Sequence, residues 1–375
     1  MSDDRSPSIL LSFASLPDPG IDRSKLHHLG DIIFITLCAV LCGANDLVSV
    51  QKFGQARLNW LRRFLELPNG IPSHDTFGRV IAALDPHAFI DCFVCWVQSL
   101  ARSSQRMFIS IDGKTARASL DRAGSKGPLH VVSAWATQSR LVLGQVAVEE
   151  KSNEITAIPA LLEMLELSGA VVSIDAMGCQ KEIVAQVRAQ GADYVVTVKA
   201  NQEHLEEDIR QAFDRLDEGE RSRGRLSVFQ TEDKGHGREE TRRYEALPVP
   251  RGLRNRGAWQ DARSICRVIR LYKDREKECS EVRYFLSSLP AKAAQLAEVI
   301  RGHWGIENGL HWVLDMYFAE DRNRSRKDHA AENLALLRRW VISMLRNDTT
   351  LTGSIEKKRQ QAGWNEVNLE KLLGI

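Results

Sequence analysis

Apolar residues recur at helical spacing through roughly the first hundred positions and give way to strand-like runs after Arg106. Positions 29–43 are apolar nearly all round, which predicts a helix buried on every side. A second helical run at 47–53 leads into 57–65, where Trp60, Leu61, Phe64 and Leu65 keep the spacing of one face. Leu67-Pro-Asn-Gly-Ile-Pro72 interrupts it. A new helix is expected from Ser73, a good N-cap, with Asp75 in its first turn. Asp85-Pro86 ends that helix, and 88–104 forms another. Residues 1–105 are therefore expected to be an all-helical domain. The helix, break and capped helix at 60–84 fit a helix-turn-helix reader of DNA and equally a bundle that braces the next domain.

From 106 onward the period is different. Positions 107–111 form one strand, and 129–137 and 141–148 form two more that the turn Gln138-Ser139-Arg140 joins as a hairpin. A helix over 153–167 follows, with Ile155, Ile158, Leu161, Leu162 and Leu165 on one face. Then come a strand at 170–174, a helix at 181–190 and a strand at 194–198. The order β-β-β-α-β-α-β starts antiparallel and ends in parallel crossovers. It matches a ribonuclease-H-like α/β fold with a mixed sheet, in which the first and fourth strands are neighbours. An amphipathic helix at 203–216 leads into short β-like runs at 226–230, 241–246, 262–271 and 281–286. These runs mark a β-rich insertion over about 219–288 within a domain spanning 106–375. Residues 291–318 read as helical despite Gly302, Gly305 and Gly309, whose cost implies close packing or irregularity there. A closing apolar helix covers 330–345, and the polar tail beyond Asn347 is expected to pack loosely.

Composition adds little until it is localised. The net charge is +2, with 43% hydrophobic and 27% charged residues, ordinary for a globular chain. Residues 219–283, however, hold 17 Lys and Arg against 11 Asp and Glu, a net +6 in the insertion alone. That surplus, with the basic turn Lys234-Gly-His-Gly-Arg238, suits a surface that follows a phosphate backbone; a solvated hairpin face is the plainer alternative. The polar start Ser2-Asp3-Asp4-Arg5 is unlike a signal peptide, and the apolar run around 32–42 is too short to span a bilayer. The seven cysteines lack a framework and are expected as reduced thiols, with Cys92 and Cys95 in core packing rather than a zinc site.

The chemistry centres on two similar stretches, Met107-Phe-Ile-Ser-Ile-Asp-Gly-Lys-Thr115 and Ala170-Val-Val-Ser-Ile-Asp-Ala-Met-Gly178. Each brings one aspartate, Asp112 or Asp175, to the end of a buried strand. If the strands are neighbours, the two carboxylates repel unless a cation meets them, and hard oxygen ligands suit Mg2+ or Mn2+. Glu307 lies in Ile300-Arg-Gly-His-Trp-Gly-Ile-Glu-Asn-Gly-Leu-His-Trp312, where His303, Glu307 and His311 follow one helical face. Three such carboxylates suit two metal ions and in-line phosphoryl transfer. The loop carrying Arg322, Arg324, Arg326 and Lys327 would neutralise the backbone of a nucleic acid. Taken singly, a strand-end Asp is more often a turn residue and a helical Glu more often a solvated one.

Together these motifs resemble a known family. The chain is similar to bacterial insertion-sequence DDE transposases of the H-repeat-associated branch (ISAs-type), from about Leu16 to its end. The helical part matches through Leu37-Cys-Ala-Val-Leu-Cys-Gly-Ala44, Trp60-Leu-Arg-Arg-Phe64 and Leu67-Pro-Asn-Gly-Ile-Pro-Ser-His-Asp-Thr-Phe-Gly-Arg79. The rest matches through Ile111-Asp-Gly-Lys-Thr115, Ser173-Ile-Asp-Ala-Met-Gly178, Tyr194-Val-Val-Thr-Val-Lys-Ala-Asn-Gln202 and His303-Trp-Gly-Ile-Glu-Asn-Gly-Leu-His-Trp-Val-Leu-Asp315 with Glu320-Asp321. The resemblance implies a metal-binding catalytic triad of Asp112, Asp175 and Glu307, two Mg2+ or Mn2+ ions, and cleavage and joining of double-stranded DNA at the ends of a mobile element. It also implies a homodimer on DNA in the bacterial cytoplasm, nucleoid-associated when bound, with no membrane partner. Where related enzymes carry arginine and lysine near the glutamate, this chain has His303 and Leu314. Lys114, Lys199, Arg301, His303, Asn308 and His311 are the expected DNA-contacting residues in this region. A nuclease of the same fold that only hydrolyses, and a non-catalytic DNA-binding derivative, are the competing readings.

Overall fold

The computed structural model describes residues 9, 11–20, 25–100, 107–120, 127–148, 154–217, 226–235, 238–274 and 277–375. The expected domain boundary at 105/106, the helix start at Asn153 and the tip of the basic turn at His236-Gly237 lie outside the described residues. In chain order the helices and strands are α1 (Leu29–Leu41), α2 (Leu47–Ala56), α3 (Leu58–Leu61), α4 (His74–Ala83), α5 (Pro86–Leu100), β1 (Phe108–Thr115), β2 (His130–Ala136), β3 (Leu141–Val148), α6 (Glu154–Glu163), β4 (Val171–Ile174), α7 (Lys181–Ala189), β5 (Asp193–Val198) and α8 (Glu203–Asp217). They continue with β6 (Ser227–Gly235), β7 (Arg238–Pro248), β8 (Ser264–Asp274), β9 (Lys277–Ser287), α9 (Ala293–Ile306), α10 (Trp312–Phe318), α11 (Ala330–Asn347), α12 (Ile355–Trp364) and α13 (Glu366–Leu373). A π-helical turn, Glu307–His311, joins α9 to α10. The protein is thus a mixed α/β chain with a helical N-terminal region and a large sheet. Among the described residues no single helix is long and apolar enough to cross a membrane.

Two compact units form. One comprises Met1–Ser104, Gly113–Asn153 and Glu307–Ile375, the other Gln105–Asp112 and Glu154–Ile306. In the first, α11 is buried along most of its length, and its Trp340 is fully enclosed. Phe13, Phe89, Phe93 and Trp96 surround that indole with ring centroids 4.9–5.8 Å away. Helix α1 is buried nearly all round, as its apolar pattern predicts. Ser73 caps α4 by accepting from the Thr76 amide, and Phe77 and Ile81 fix that helix in the core, whereas α3 is only four residues long. The tail differs from expectation. It folds into α12 and α13, because its polar groups have partners at the other end of the chain. Arg57 meets Glu366 at 2.7 Å, Trp60 Nε1 donates to Glu370 at 2.8 Å, and Arg359 donates to the Val40 carbonyl near the C-terminus of α1.

The second unit is built on β1-β4-β5-β9-β8-β7-β6. Strands β1, β4 and β5 run parallel, and β9 joins β5 antiparallel. The β-rich insertion is therefore a continuation of the sheet, in strands of nine to eleven residues rather than short runs. Charged positions persist in these strands because they pair across them. Arg267 lies opposite Glu245 and bonds it at 2.6 Å, and Arg270 reaches Glu240 at 2.7 Å. Helix α9 covers one face, packing Leu296, Ala297 and Ile300 with Val171, Val195, Ala246 and Val268. Ile174, next in the alternation of β4, faces the side where Ile158 of α6 lies.

One buried ion pair in the first unit generates a stability prediction. Arg339 is fully buried, bonds Glu320 at 2.9 Å and donates to Ser133. Removing one partner of such a pair leaves an uncompensated charge. Arg339→Met is expected to lower unfolding free energy in urea by roughly 3–5 kcal/mol. A loss below about 1 kcal/mol would mean that water reaches Glu320 and the pair is not desolvated.

Candidate active site

The parallel register of β1 and β4 pairs Phe108 with Val171 and Ile111 with Ile174. Asp112 and Asp175 each follow the last of these pairs and so stand at the same level of neighbouring strands; β4 ends before Asp175, whereas β1 runs on through Asp112 to Thr115 rather than ending at Ile111 as expected. The adjacency expected from strand order holds, although 63 positions separate the two residues in sequence. Both are half-buried. Asp175 Oδ1 accepts from the Met177 amide at 3.0 Å and the Gly178 amide at 3.4 Å, which fixes the loop that leaves β4. Gly178 is required there because a Cβ would fall 2.3 Å from Ile174 Cγ2 and 2.8 Å from Ile158 Cδ1. The segment after β5 holds the same loop from outside. Asn201 Nδ2 donates to the Ala176 carbonyl at 2.6 Å, and Gln202 Nε2 to the Cys179 carbonyl at 2.9 Å.

Electrostatics around Asp175 favour a cation. Burial raises its carboxyl above the usual range, and the charge of Glu154 pushes the same way. The two amide bonds and the charge of Lys199 pull against them. Glu154, buried in the first turn of α6, is the residue that sequence reasoning missed at this edge. Its only signal was an acidic residue at a helix start, which is normally a favourable dipole position and no sign of a site. Among the described residues no three His, Cys, Asp or Glu side chains form a metal cage. Two adjacent carboxylates, one of them penalised as an anion by burial and by a third acid, are nonetheless a donor set that a hard divalent ion would suit.

Glu307 opens the π-helical turn and is exposed, as is Asn308. A π-turn takes up an extra residue, so His311 does not continue the line of His303 and Glu307 that a regular helix would draw. The irregularity expected from the glycines is explained at one of them: a Cβ on Gly309 would lie 2.9 Å from Trp135 Cζ2. The other named residues are placed as follows. Lys199, Arg322, Arg324, Arg326 and Lys327 are exposed, Arg326 donating to the Ala118 carbonyl. Arg301 pairs with Asp233 at 3.1 Å. Lys114 is buried, its ammonium 2.7 Å from Asp315, 3.2 Å from Asp321 and 3.8 Å from Glu320. His303 is half-buried with Nδ1 3.0 Å from Ser173 Oγ.

Two family descriptions match the chain, "DDE_Tnp_1-associated" over residues 10–97 and "Transposase DDE domain" over residues 103–344. A protein named "Putative transposase YncI" from Escherichia coli O157:H7 is 36% identical over 370 residues, covering 98% of this chain and 94% of that one. "H repeat-associated putative transposase YhhI" from Escherichia coli (strain K12) is 37% identical over 353 residues, 92% of each. Among solved structures, a piggyBac transposase synaptic complex with hairpin DNA is similar at 11% identity and a TM-score of 0.46, covering 99% of this chain and 77% of that chain.

The environment of Asp175 has a measurable consequence. A carboxyl with a raised folded value contributes stability below the ordinary carboxylate range, and this is lost as pH rises through the raised value. At neutral pH without metal, Asp175→Asn should therefore melt at or above wild type, since the amide oxygen can still accept from Met177 and Gly178. Mn2+ at ten times its dissociation constant should stabilise wild type by roughly 1.4 kcal/mol, a rise of a few degrees. Calorimetry should find that rise missing in Asp175→Asn; an undiminished rise would place the metal elsewhere.

Proposed function

The chain belongs to the DDE transposases, in the H-repeat-associated branch, and from that premise we propose that it cuts and joins DNA at the ends of an insertion sequence by metal-dependent phosphoryl transfer. The observation that carries the reading is the side-by-side emergence of Asp112 and Asp175 from paired parallel strands. The β2–β3 hairpin and the parallel β1-β4-β5 core support a ribonuclease-H-like assignment.

Asp112, Asp175 and Glu307 would hold two Mg2+ or Mn2+ ions. Bound there, such ions activate water or a 3′-hydroxyl and neutralise the leaving oxygen. The chain's own residues do the rest. The amides of Met177 and Gly178 orient the Asp175 carboxylate, and Asn201 and Gln202 keep its loop from moving away. Lys199 lies close enough to Asp175 to lower its carboxyl and is suited to a substrate phosphate. Asn308, His311, Arg301, Arg322, Arg324, Arg326 and Lys327 are the further candidates for contacts to double-stranded DNA. Lys114 and His303, turned towards protein partners, are better suited to holding structure. Two element ends must be held together for joining, so the active form on DNA is a homodimer in the bacterial cytoplasm, associated with the nucleoid when bound.

The test uses the purified chain, Mg2+ or Mn2+, a labelled duplex carrying the native element end, and a plasmid target. Wild type should nick at the element boundary and yield joined product. Asp112→Asn, Asp175→Asn and Glu307→Gln should each lose at least about a thousandfold in both steps, roughly 4 kcal/mol of transition-state stabilisation. Cleavage without joining would make the protein a nuclease. Binding without cleavage in either metal would make it a non-catalytic DNA-binding derivative.

A further inference from the structure

Three buried or half-buried polar residues of the second unit meet beside the segments that carry the acids. Ser110 is two residues before Asp112 on β1, and Ser173 is two before Asp175 on β4. His303 is four before Glu307, one helical turn upstream on α9. They touch one another. Ser173 Oγ lies 3.2 Å from Ser110 Oγ, 3.4 Å from the Ile109 carbonyl and 3.0 Å from His303 Nδ1. Ser110 is 1% exposed and Ser173 4%, in a sheet face otherwise packed with aliphatic residues. Polar groups in such a place cost free energy unless fully bonded, so the contact is directional where its neighbours are not.

We propose that His303, through Ser173 and Ser110, is a positioning residue that fixes α9 on β1 and β4 and so sets how these strands present Asp112 and Asp175 for metal. This rests on the active-site reading above. The hydroxyl of Ser173 has a single proton, and the Ile109 carbonyl can only accept. Ser173 therefore directs its proton to the strand side, and the imidazole donates from Nδ1. Apolar contacts such as Ile300 with Val171 hold α9 on the sheet but tolerate sliding along it. A hydrogen bond at 3.0 Å fixes the axial position. Burial pulls the imidazole down to about 4, a hydrogen bond to the Ser173 backbone countering this and Arg283 adding to it. His303 is thus neutral at physiological pH, the state that donates from one nitrogen without bringing a charge into the sheet. A neutral ring is also no substitute for a phosphate-binding cation.

The test is made on the full-length chain with Mn2+ titrated by electron paramagnetic resonance, alongside cleavage and binding of the element-end duplex. His303→Ala should weaken Mn2+ binding on the order of 10–100-fold, as loss of a supporting bond behind metal ligands does. His303→Asn, whose amide N–H replaces Nδ1–H, should recover to within about threefold of wild type. Ser173→Ala, which removes the acceptor for His303 together with the proton given to the strand side, should behave like His303→Ala, and it carries the same expectation if His303→Ala does not fold. Duplex affinity and its salt dependence should be unchanged in all three. Wild-type Mn2+ binding in Ser173→Ala, an Asn variant as weak as Ala, or a lower salt slope in His303→Ala would overturn the proposal. Asp112→Asn and Asp175→Asn separate the two failures. If they abolish Mn2+ binding while His303→Ala and Ser173→Ala do not weaken it, positioning alone is wrong; if they change nothing, the active-site reading falls and takes the proposal with it.

Discussion

The paired register of two buried parallel strands sets the terms for the second unit. Parallel pairing of β1 with β4 is fixed by backbone hydrogen bonds and by apolar side chains that must stay inside. A slip of one residue would turn every side chain of a strand to the other face, so the register is strongly specified. The consequence is that Asp112 and Asp175 stand at the same level of neighbouring strands. Around Asp175 the surroundings pull both ways. Two backbone amides and the charge of Lys199 favour the Asp175 anion, while burial and Glu154 oppose it. The balance leaves a carboxyl that is harder to ionise than an ordinary one, at the place where a divalent ion would reverse the sign of the problem.

The first unit handles its own buried charge differently. Lys114 faces Asp315, Asp321 and Glu320, and Glu320 is also bonded by Arg339. Lys114, Arg339 and the exposed Arg117 meet three acids, of which Glu320 is buried and Asp315 and Asp321 are partly open to solvent. Burial still raises the Asp315 carboxyl, with Lys114 pulling it down and Asp321 and Glu320 pushing it up. The geometry of such a network depends on every member. The π-turn at Glu307–His311 belongs to the same segment. It breaks the regular hydrogen-bond ladder of a helix, a cost that is accepted where the backbone must come close to a neighbour, as Gly309 does to Trp135.

Much of this was legible in the chain itself. Short apolar runs leading to an aspartate located β1 and β4, although β1 continues past Asp112 to Thr115, and the order of elements was enough to make them neighbours. The near-continuous apolar pattern of α1 announced its burial, and Ser73 its cap. The glycines around Glu307 announced an irregular helix. These are local signals, because side-chain spacing and turn chemistry act over a few residues. What the sequence withheld was partnership. The tail looked loose because some of its polar residues find their partners far off in sequence; Glu366 and Glu370 find theirs in Arg57, Trp60 and Arg63, about 300 positions earlier. The insertion looked like isolated short strands because charged residues interrupt its apolar alternation, and only cross-strand pairing shows that Arg267 and Glu245 satisfy each other.

The sequence by itself determined the candidates for chemistry: two aspartates after buried apolar runs, a glutamate in a helical segment and a set of basic loops. Tertiary structure alone decided how the rest were used. Lys114 and His303 are basic on paper and read there as candidates for binding phosphate. In the fold one is an ammonium among three carboxylates and the other a half-buried imidazole held by a serine. Glu154, unremarked at a helix start, lies close enough to Asp175 to oppose its ionisation. The physical reason is that a residue's type sets its charge and donors, whereas its state depends on desolvation and on neighbours brought from distant parts of the chain, and neither is written in local sequence.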